Sequence, residues 1–407
     1  MSWRTHQRTT FLVASGLSTA GSFAGLTAKG WILMDGSGNP LVLAIHFAML
    51  ALPALLVSGP AGVATDKLGC EAVLIRSQWG LFAASILGAV AIPLSSGDLQ
   101  VALLLLSTLL VGIASAYELT ARNKYCALLV DGPEQLAPYL TSFSVVFNVG
   151  KLVGPPIGGW LLAWTGAGTA LVIDAATYLI PIASVLWLLH PNRGREQLSV
   201  AGASSGLRAA WRGSGPVLRH VLIYTALACL LGFFHPGLAP LMARELLGPS
   251  PQALGLFTSV LAAGSISGGL VLQRHSLWLS QRPALLLGSC TLITATAQLA
   301  MAAYSSPGTV GIGLAATFAL GAGTASLLAG VNLIGQVGSS IDIRGRMAGL
   351  GQIAFLGGGG LSGLLAAAMS LTLGLQGTFA VLGAAGFFLG LQELISRRDL
   401  RVKIRSV

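Results

Sequence analysis

The sequence predicts an all-α membrane protein of twelve transmembrane helices in two pseudo-symmetric six-helix bundles. Three observations carry that expectation. Of 407 residues, 54% are hydrophobic and only 9% are charged, a balance foreign to a soluble domain. Apolar runs of about 20 residues, the length that crosses a bilayer as one helix, recur twelve times along the chain. A polar interruption from Pro191 to Pro216 divides those runs six and six.

Taken in order, the runs cover 10–33, 41–64, 73–94, 99–121, 139–164 and 167–190, then 218–241, 252–272, 283–304, 308–333, 346–373 and 376–396. The expected organisation is therefore an N-terminal bundle at 1–190, a cytoplasmic linker at 191–217, a C-terminal bundle at 218–396 and a basic cytoplasmic tail at 397–407. Span one starts behind Arg4 and Arg8, but it is too long for a signal-peptide core and reads as an uncleaved span. The linker holds Arg193, Arg195, Glu196, Arg208 and Arg212 among Ser, Gly and Ala. With the N-terminus in the cytoplasm, all of the 23 Lys and Arg residues except Lys29, Lys151 and Arg244 fall on inner segments or the span ends beside them. The positive-inside rule thus sets a multi-pass protein of the cytoplasmic membrane with both termini inside. Topology accounts for the net charge of +10, so no nucleic-acid partner is expected, and the tail from Arg397 to Arg405 is suited to anionic lipid headgroups. Cys229 and Cys290 lie in predicted spans, Cys70 and Cys126 in short cytoplasmic loops, and no disulfide is expected.

Span five carries the densest pattern, Asn148-Val-Gly150-Lys151-Leu-Val-Gly154-Pro155-Pro156-Ile-Gly158-Gly159. Gly150, Gly154 and Gly158 recur about once per turn and clear a groove for close approach of another helix. Pro155 and Pro156 remove backbone donors and bend the helix. Lys151 is a charge near mid-membrane that must face the protein interior. The segment reads as a bend or hinge lining a polar path. The halves echo one another: Gly62-Val-Ala-Thr-Asp66-Lys67-Leu-Gly69 between spans two and three is answered by Gly269-Leu-Val-Leu-Gln273-Arg274 between spans eight and nine. Gly357, Gly358, Gly359, Gly360 and Gly363 of span eleven answer the glycines of span five. Such repeats imply a central site between halves.

The Gly62–Leu74 segment resembles the signature between spans two and three of the major facilitator superfamily, and the span-five pattern resembles its antiporter motif. Glu118-Leu-Thr-Ala121-Arg122 and Arg344-Gly345-Arg346, which follows Gln336, are similar to the enterobactin-exporter and macrolide-efflux branch of drug:proton antiporters. The resemblance runs from Arg8 to Leu391. It implies alternating access by rocking of two bundles, with export driven by proton entry. Two departures stand out: Cys70 and Glu71 follow Gly69 where basic residues are usual, and Ser22 occupies span one where relatives carry an acid.

Each charged candidate has a functional and an architectural reading. Asp66 is suited to an inward-side gate latch with Arg122 as its cation, Glu118 lying one turn earlier on the same face; the other reading is a passive topology charge. Lys151 could hold an anionic substrate group or change protonation in coupling, or be a static partner of Asp174 or Glu118. Asp174 in span six is a possible proton carrier, or a carboxylate wetted near the outer surface. His235, before Pro236 and Gly237 at an expected helix break in span seven, could titrate or hydrogen-bond a freed carbonyl. Asn148, Asn332, Gln336 and Gln352 with Phe143, Phe147, Phe233 and Phe234 could line an amphipathic cavity or simply pack. Trp31, Trp160, Trp164 and Trp187 read as an interfacial belt.

No Walker loop and no metal-site spacing of Cys or His occurs in the sequence, so neither enzyme chemistry nor a cofactor or metal is expected. The expected function is secondary transport of a small amphipathic compound, a drug or siderophore-like metabolite, out of the cell, with the proton as coupling ion, lipids around it and a monomer as the working unit. A lipid or lysolipid flippase, or a uniporter, is the alternative within the same fold; a sensor that moves nothing is the alternative from another class.

Overall fold

The computed structural model describes residues 3–130, 133–188, 211–303, 310–339, 344–397 and 400. The described residues are nearly all helical. Spans one to five are the helices Trp3–Ser37, Pro40–Leu68, Cys70–Leu94, Gly97–Leu128 and Pro133–Thr165. Span six is interrupted: Ala167–Thr177 and Leu179–Ala183 are followed by a π-helical turn, Ser184–Leu188. Pro181 explains the interruption, because it has no N–H for the carbonyl of Thr177 four residues back and its ring crowds that carbonyl. Span seven is broken as expected, into Pro216–Gly232 and His235–Leu247, with Pro236 acting in the same way on Gly232. Spans eight, nine and ten are Pro251–Arg274, Pro283–Ala302 and Val310–Gly338. Spans eleven and twelve run through Arg344–Ser396, divided at Gly374, whose φ of 68° only glycine adopts readily.

Ten stretches of these helices are long and apolar enough to cross a membrane, one of them the 44-residue Ile353–Ser396 that contains the Gly374 break. Counting both sides of that break and adding Pro40–Leu68 gives the twelve expected. Leu56, Leu94 and Phe388 are respectively 78%, 76% and 69% exposed. A coat of such side chains is at home against lipid, not water.

The chain forms two compact units, one of Met1–Ala201 with Pro249–Leu256 and one of Gly202–Gly248 with Phe257–Val407. In the first, Phe11, Tyr125, Tyr139 and Phe143 form an aromatic core with Cys70 and Cys126. In the second, Tyr224, Cys229, Phe233, Cys290 and Phe355 share a core. All four cysteines are buried and unbridged by disulfides. Cys70 and Cys126 thus correct the expectation of loops: Cys70 begins span three, and span four continues to Leu128. Trp31 corrects the belt expectation, being 6% exposed inside the first unit, while Trp160 and Trp164 stack at 5.6 Å with Trp164 exposed. Residues 191–210 of the linker, most of the tail and the side chains of Trp187, Gln336 and Gln352 lie outside the described residues.

Candidate functional site

Span five stays helical through Pro155 and Pro156, and its glycines seat it on span one. A Cβ on Gly150 would lie 3.1 Å from the Gly16 carbonyl oxygen, and one on Gly154 would lie 2.6 Å from that of Ala20. One on Gly158 would reach the backbone of Ala24, with Cα at 2.8 Å. Positions four apart on both helices therefore meet backbone to backbone, as the motif spacing anticipates. Gly159, on an adjoining face, meets Gly255 in the short segment that clusters with this unit. Lys151 is half-buried, with Nζ 6.0 Å from the centre of the Phe23 ring, and Asn148 is exposed.

At the end of the unit where spans two and three and spans four and five connect, the described residues include the ion pairs of Asp66 and of Arg122. Gly69 turns the chain from span two into span three with φ 82°, a left-handed value suited to glycine; Gly62 faces open space and Lys67 is exposed. The cation for Asp66 is Lys124, not Arg122 as expected: Nζ lies 2.6 Å from Oδ1 on the exposed surface. Arg122 and Lys124 are about 200° apart around their helix, so only one can face span two. Arg122 turns inward, where Glu118 one turn earlier takes it at 3.1 Å. Its guanidinium lies over the rings of Phe143 and Phe147, at 4.7 and 5.3 Å, and its buried Nε has no hydrogen-bond partner among the described residues.

A second buried charge cluster lies toward the opposite end of the unit. Asp174 is 3% exposed, which corrects the wetted reading. Ser85 Oγ of span three donates to its Oδ2 at 2.8 Å, while Oδ1 is buried with no hydrogen-bond partner among the described residues. The Tyr178 hydroxyl lies among Asp174, Ser22 and Ser85 without a well-formed hydrogen bond to any of them. Lys29 of span one is 2% exposed and donates to Ser107 Oγ of span four at 2.8 Å, within electrostatic reach of Asp174. Ser107 Oγ in turn donates a hydrogen bond to the Ala84 carbonyl. His46 of span two, next in line, bonds Thr108 at 2.9 Å and the Leu26 carbonyl at 3.1 Å. Asp174 has Ser85 as its hydrogen-bond partner with Lys29 within electrostatic reach, and Glu118 has Arg122.

Lys29 is the candidate that sequence reasoning passes over, since it enters only as an exception to the positive-inside count. Its signal is its place inside the 10–33 run, the same one that singles out Lys151. Ser85 and Ser107 carry no signal, because serine is common where membrane helices touch.

In the second unit, His235 is 2% exposed; its Nε2 lies 3.2 Å from Thr324 Oγ1 of span ten. Phe233 packs edge-on against its ring at 5.7 Å. Phe143, Phe233 and Phe234 are all buried packing residues. Asn332 keeps a buried Oδ1 with no partner among the described residues, close to Gly351. Gln298 of span nine, 1% exposed, likewise leaves Oε1 unpartnered.

The sequence matches the family described as transmembrane secretion effector over residues 3–401. It is 27% identical to the multidrug efflux pump Tap of Mycolicibacterium fortuitum, covering 95% of both chains. It is 24% identical to the staphyloferrin A transporter of Staphylococcus aureus over 65% of this chain and 66% of that one. Among solved structures, the nucleoside transporter NupG superposes with a TM-score of 0.72 at 14% identity, covering 95% of this chain and 98% of that one. An inward-facing bacterial homologue of the lysosomal transporter Spinster gives 0.70 at 17%, covering 98% and 99%. The glycine-seated fifth span, the buried charges inside an apolar coat and the match along nearly the whole chain lead to one assignment: this is a multi-pass transporter that belongs to the transmembrane secretion effector family of the major facilitator superfamily.

Proposed function

We propose that this protein exports small amphipathic compounds, drugs or siderophore-like metabolites, across the cytoplasmic membrane by alternating access coupled to proton entry. It works as a monomer with both termini in the cytoplasm. The observation that carries the reading is the likeness to a multidrug efflux pump along 95% of both chains. A siderophore transporter among the relatives keeps the metabolite within the cargo class. The interior chemistry suits such cargo. Phe23, Phe147 and the half-buried Lys151 offer aromatic faces beside a cation, the combination that holds a planar or anionic amphipath. The Asp66–Lys124 pair, joining the ends of spans two and four, is suited to a weak latch of the inward side, with Gly69 and Gly62 at its hinge. Gly150, Gly154, Gly158 and Gly159 with Pro155 and Pro156 supply the rigid seat about which spans one and five move together.

The test is substrate-dependent proton release in everted membrane vesicles, over a panel of dyes, antibiotics and catecholates. Protons should leave the vesicle lumen when one compound class enters it. Lys151→Ala should weaken apparent affinity for that class by about tenfold, the equivalent of one buried polar or cation–π contact. Transport of a compound without proton movement would overturn the antiport reading and favour uniport.

A further inference from the structure

We propose that Asp174 is a proton-binding site whose working pH is set by Lys29, and that the pair is separate from the Glu118–Arg122 pair at the other end of the unit. The inference deepens the antiport reading above and rests on it for its role in transport.

Four observations carry it. The site joins four spans: Lys29 from one, Ser85 from three, Ser107 from four, Asp174 and Tyr178 from six. Space for it is made by glycine. A Cβ on Gly25 would come within 2.8 Å of Asp174 Cβ, and one on Gly88 would lie 3.0 Å from Lys29 Cε. The two charges are each hydrogen-bonded to a serine, the ammonium to Ser107 and the carboxylate to Ser85. Asp174 Oδ1 and the Tyr178 hydroxyl are buried beside one another without a well-formed hydrogen bond, so one carboxylate oxygen is in place to receive a proton.

The step balances simply. Water on the outer side delivers a proton to Oδ1, an O–H bond forms, and the carboxyl becomes neutral while Lys29 stays with Ser107. When the site opens inward, the O–H bond breaks and the proton leaves to cytoplasmic water. The restored carboxylate is stabilised by Lys29 and by the Ser85 hydroxyl. The titratable groups around Asp174 are Lys29 of span one, His46 of span two beyond Lys29, and Tyr178 one turn along span six.

The experiment is infrared difference spectroscopy of the reconstituted full-length protein during a pH titration, following the carbonyl stretch of a protonated carboxyl group. The wild type should show such a band at low pH. Asp174→Asn should remove one component of that band and leave those of the other carboxyl groups, and Asp35→Asn, at an exposed position, should keep the Asp174 component. Lys29→Met should move its midpoint up by about one pH unit or more, since it removes the cation that favours the carboxylate. Should Asp174→Asn fail to fold, Ser85→Ala must move the same band upward. In proteoliposomes, Asp174→Asn should retain exchange of ethidium across the membrane and lose its pH-gradient-driven accumulation. A band untouched by all three substitutions overturns the proposal while leaving transport standing. Restored gradient-driven accumulation in the Lys29→Met/Asp174→Asn double variant overturns it as well, because a purely structural pair can be neutralised together. An Asp174 band with no proton movement in the vesicle assay upholds the site and overturns the antiport reading.

Discussion

Span five against span one, and span eleven against span seven, are the same glycine-rich device built with different spacing. In the first unit Gly150, Gly154 and Gly158 stand four apart, so all three face span one and meet its backbone. In the second unit the glycines are consecutive. Neighbouring positions are about 100° apart on a helix, so only Gly358 reaches the Ala226 carbonyl and Gly359 the Phe233 ring, while Gly357 and Gly360 meet nothing within 4 Å among the described residues. Spacing, not glycine content, makes the seat. The largest effect should therefore come from Gly158→Leu, which forces four carbons into the backbone of Ala24 and should abolish recovery of folded protein in fluorescence-detected size exclusion. Gly360→Ala should be tolerated, or stabilise its helix by about 0.5–1 kcal/mol. Equal damage from both would show that glycine content, not spacing, makes the seat.

The two units also differ in what their interiors hold. The first buries Lys29, Asp174, Glu118 and Arg122; the second buries one acid, Glu393, held by the half-buried His220 at 2.8 Å, and otherwise polar groups such as His235, Thr324 and Gln298. In the first, Arg122→Met would leave Glu118 buried without its cation, at a cost of about 3–5 kcal/mol. Glu118→Gln/Arg122→Met together should recover most of that in thermal unfolding of the solubilised protein, since a buried pair contributes little beyond its own desolvation. A double variant as unstable as the single one would show that the contacts of Arg122 with Phe143 and Phe147, rather than the charge pair, hold spans four and five together.

How far the sequence discloses this follows from which features are periodic. Span number, the break before Pro236 and the four-residue glycine ladder are repeats of local chemistry, and the structure bears them out. The break at Tyr178 was equally legible in Pro181, but an apolar run hides a proline whose cost is met by neighbouring helices. Partner choice is different. Arg122 and Lys124 are equivalent as charges, and only the 200° between them sends one to Glu118 and the other to Asp66. Lys29 and Asp174 are 145 positions apart in sequence, and nothing local in either run announces the other.

Around His235 the second unit shows the same contrast at a smaller scale. His235→Asn should remove one hydrogen bond to Thr324 and some ring packing, for about 1 kcal/mol of stability, and leave the pH profile of gradient-driven transport where it is in the wild type. A shift of that profile matching the one expected from Lys29→Met would make the second unit a titrating partner and erase the distinction between the halves.

The smallest effect belongs to Asp66 and Lys124. Their pair is short, 2.6 Å, but Asp66 is 73% exposed, so water and salt screen it and its contribution to stability is about 0.2–1 kcal/mol. Stability is the wrong place to look for it. A latch acts on the balance between states, where 1 kcal/mol changes a population ratio about fivefold. Asp66→Asn should leave thermal unfolding nearly unchanged and lower the transport rate by about that factor. The swapped variant Asp66→Lys/Lys124→Asp should restore the rate, because the attraction survives reversal. Arg122→Asp could not substitute for Lys124→Asp in that rescue, since its position faces Glu118. A rescue through Arg122 would return the latch to the arrangement that motif spacing suggests and would contradict the geometry of span four.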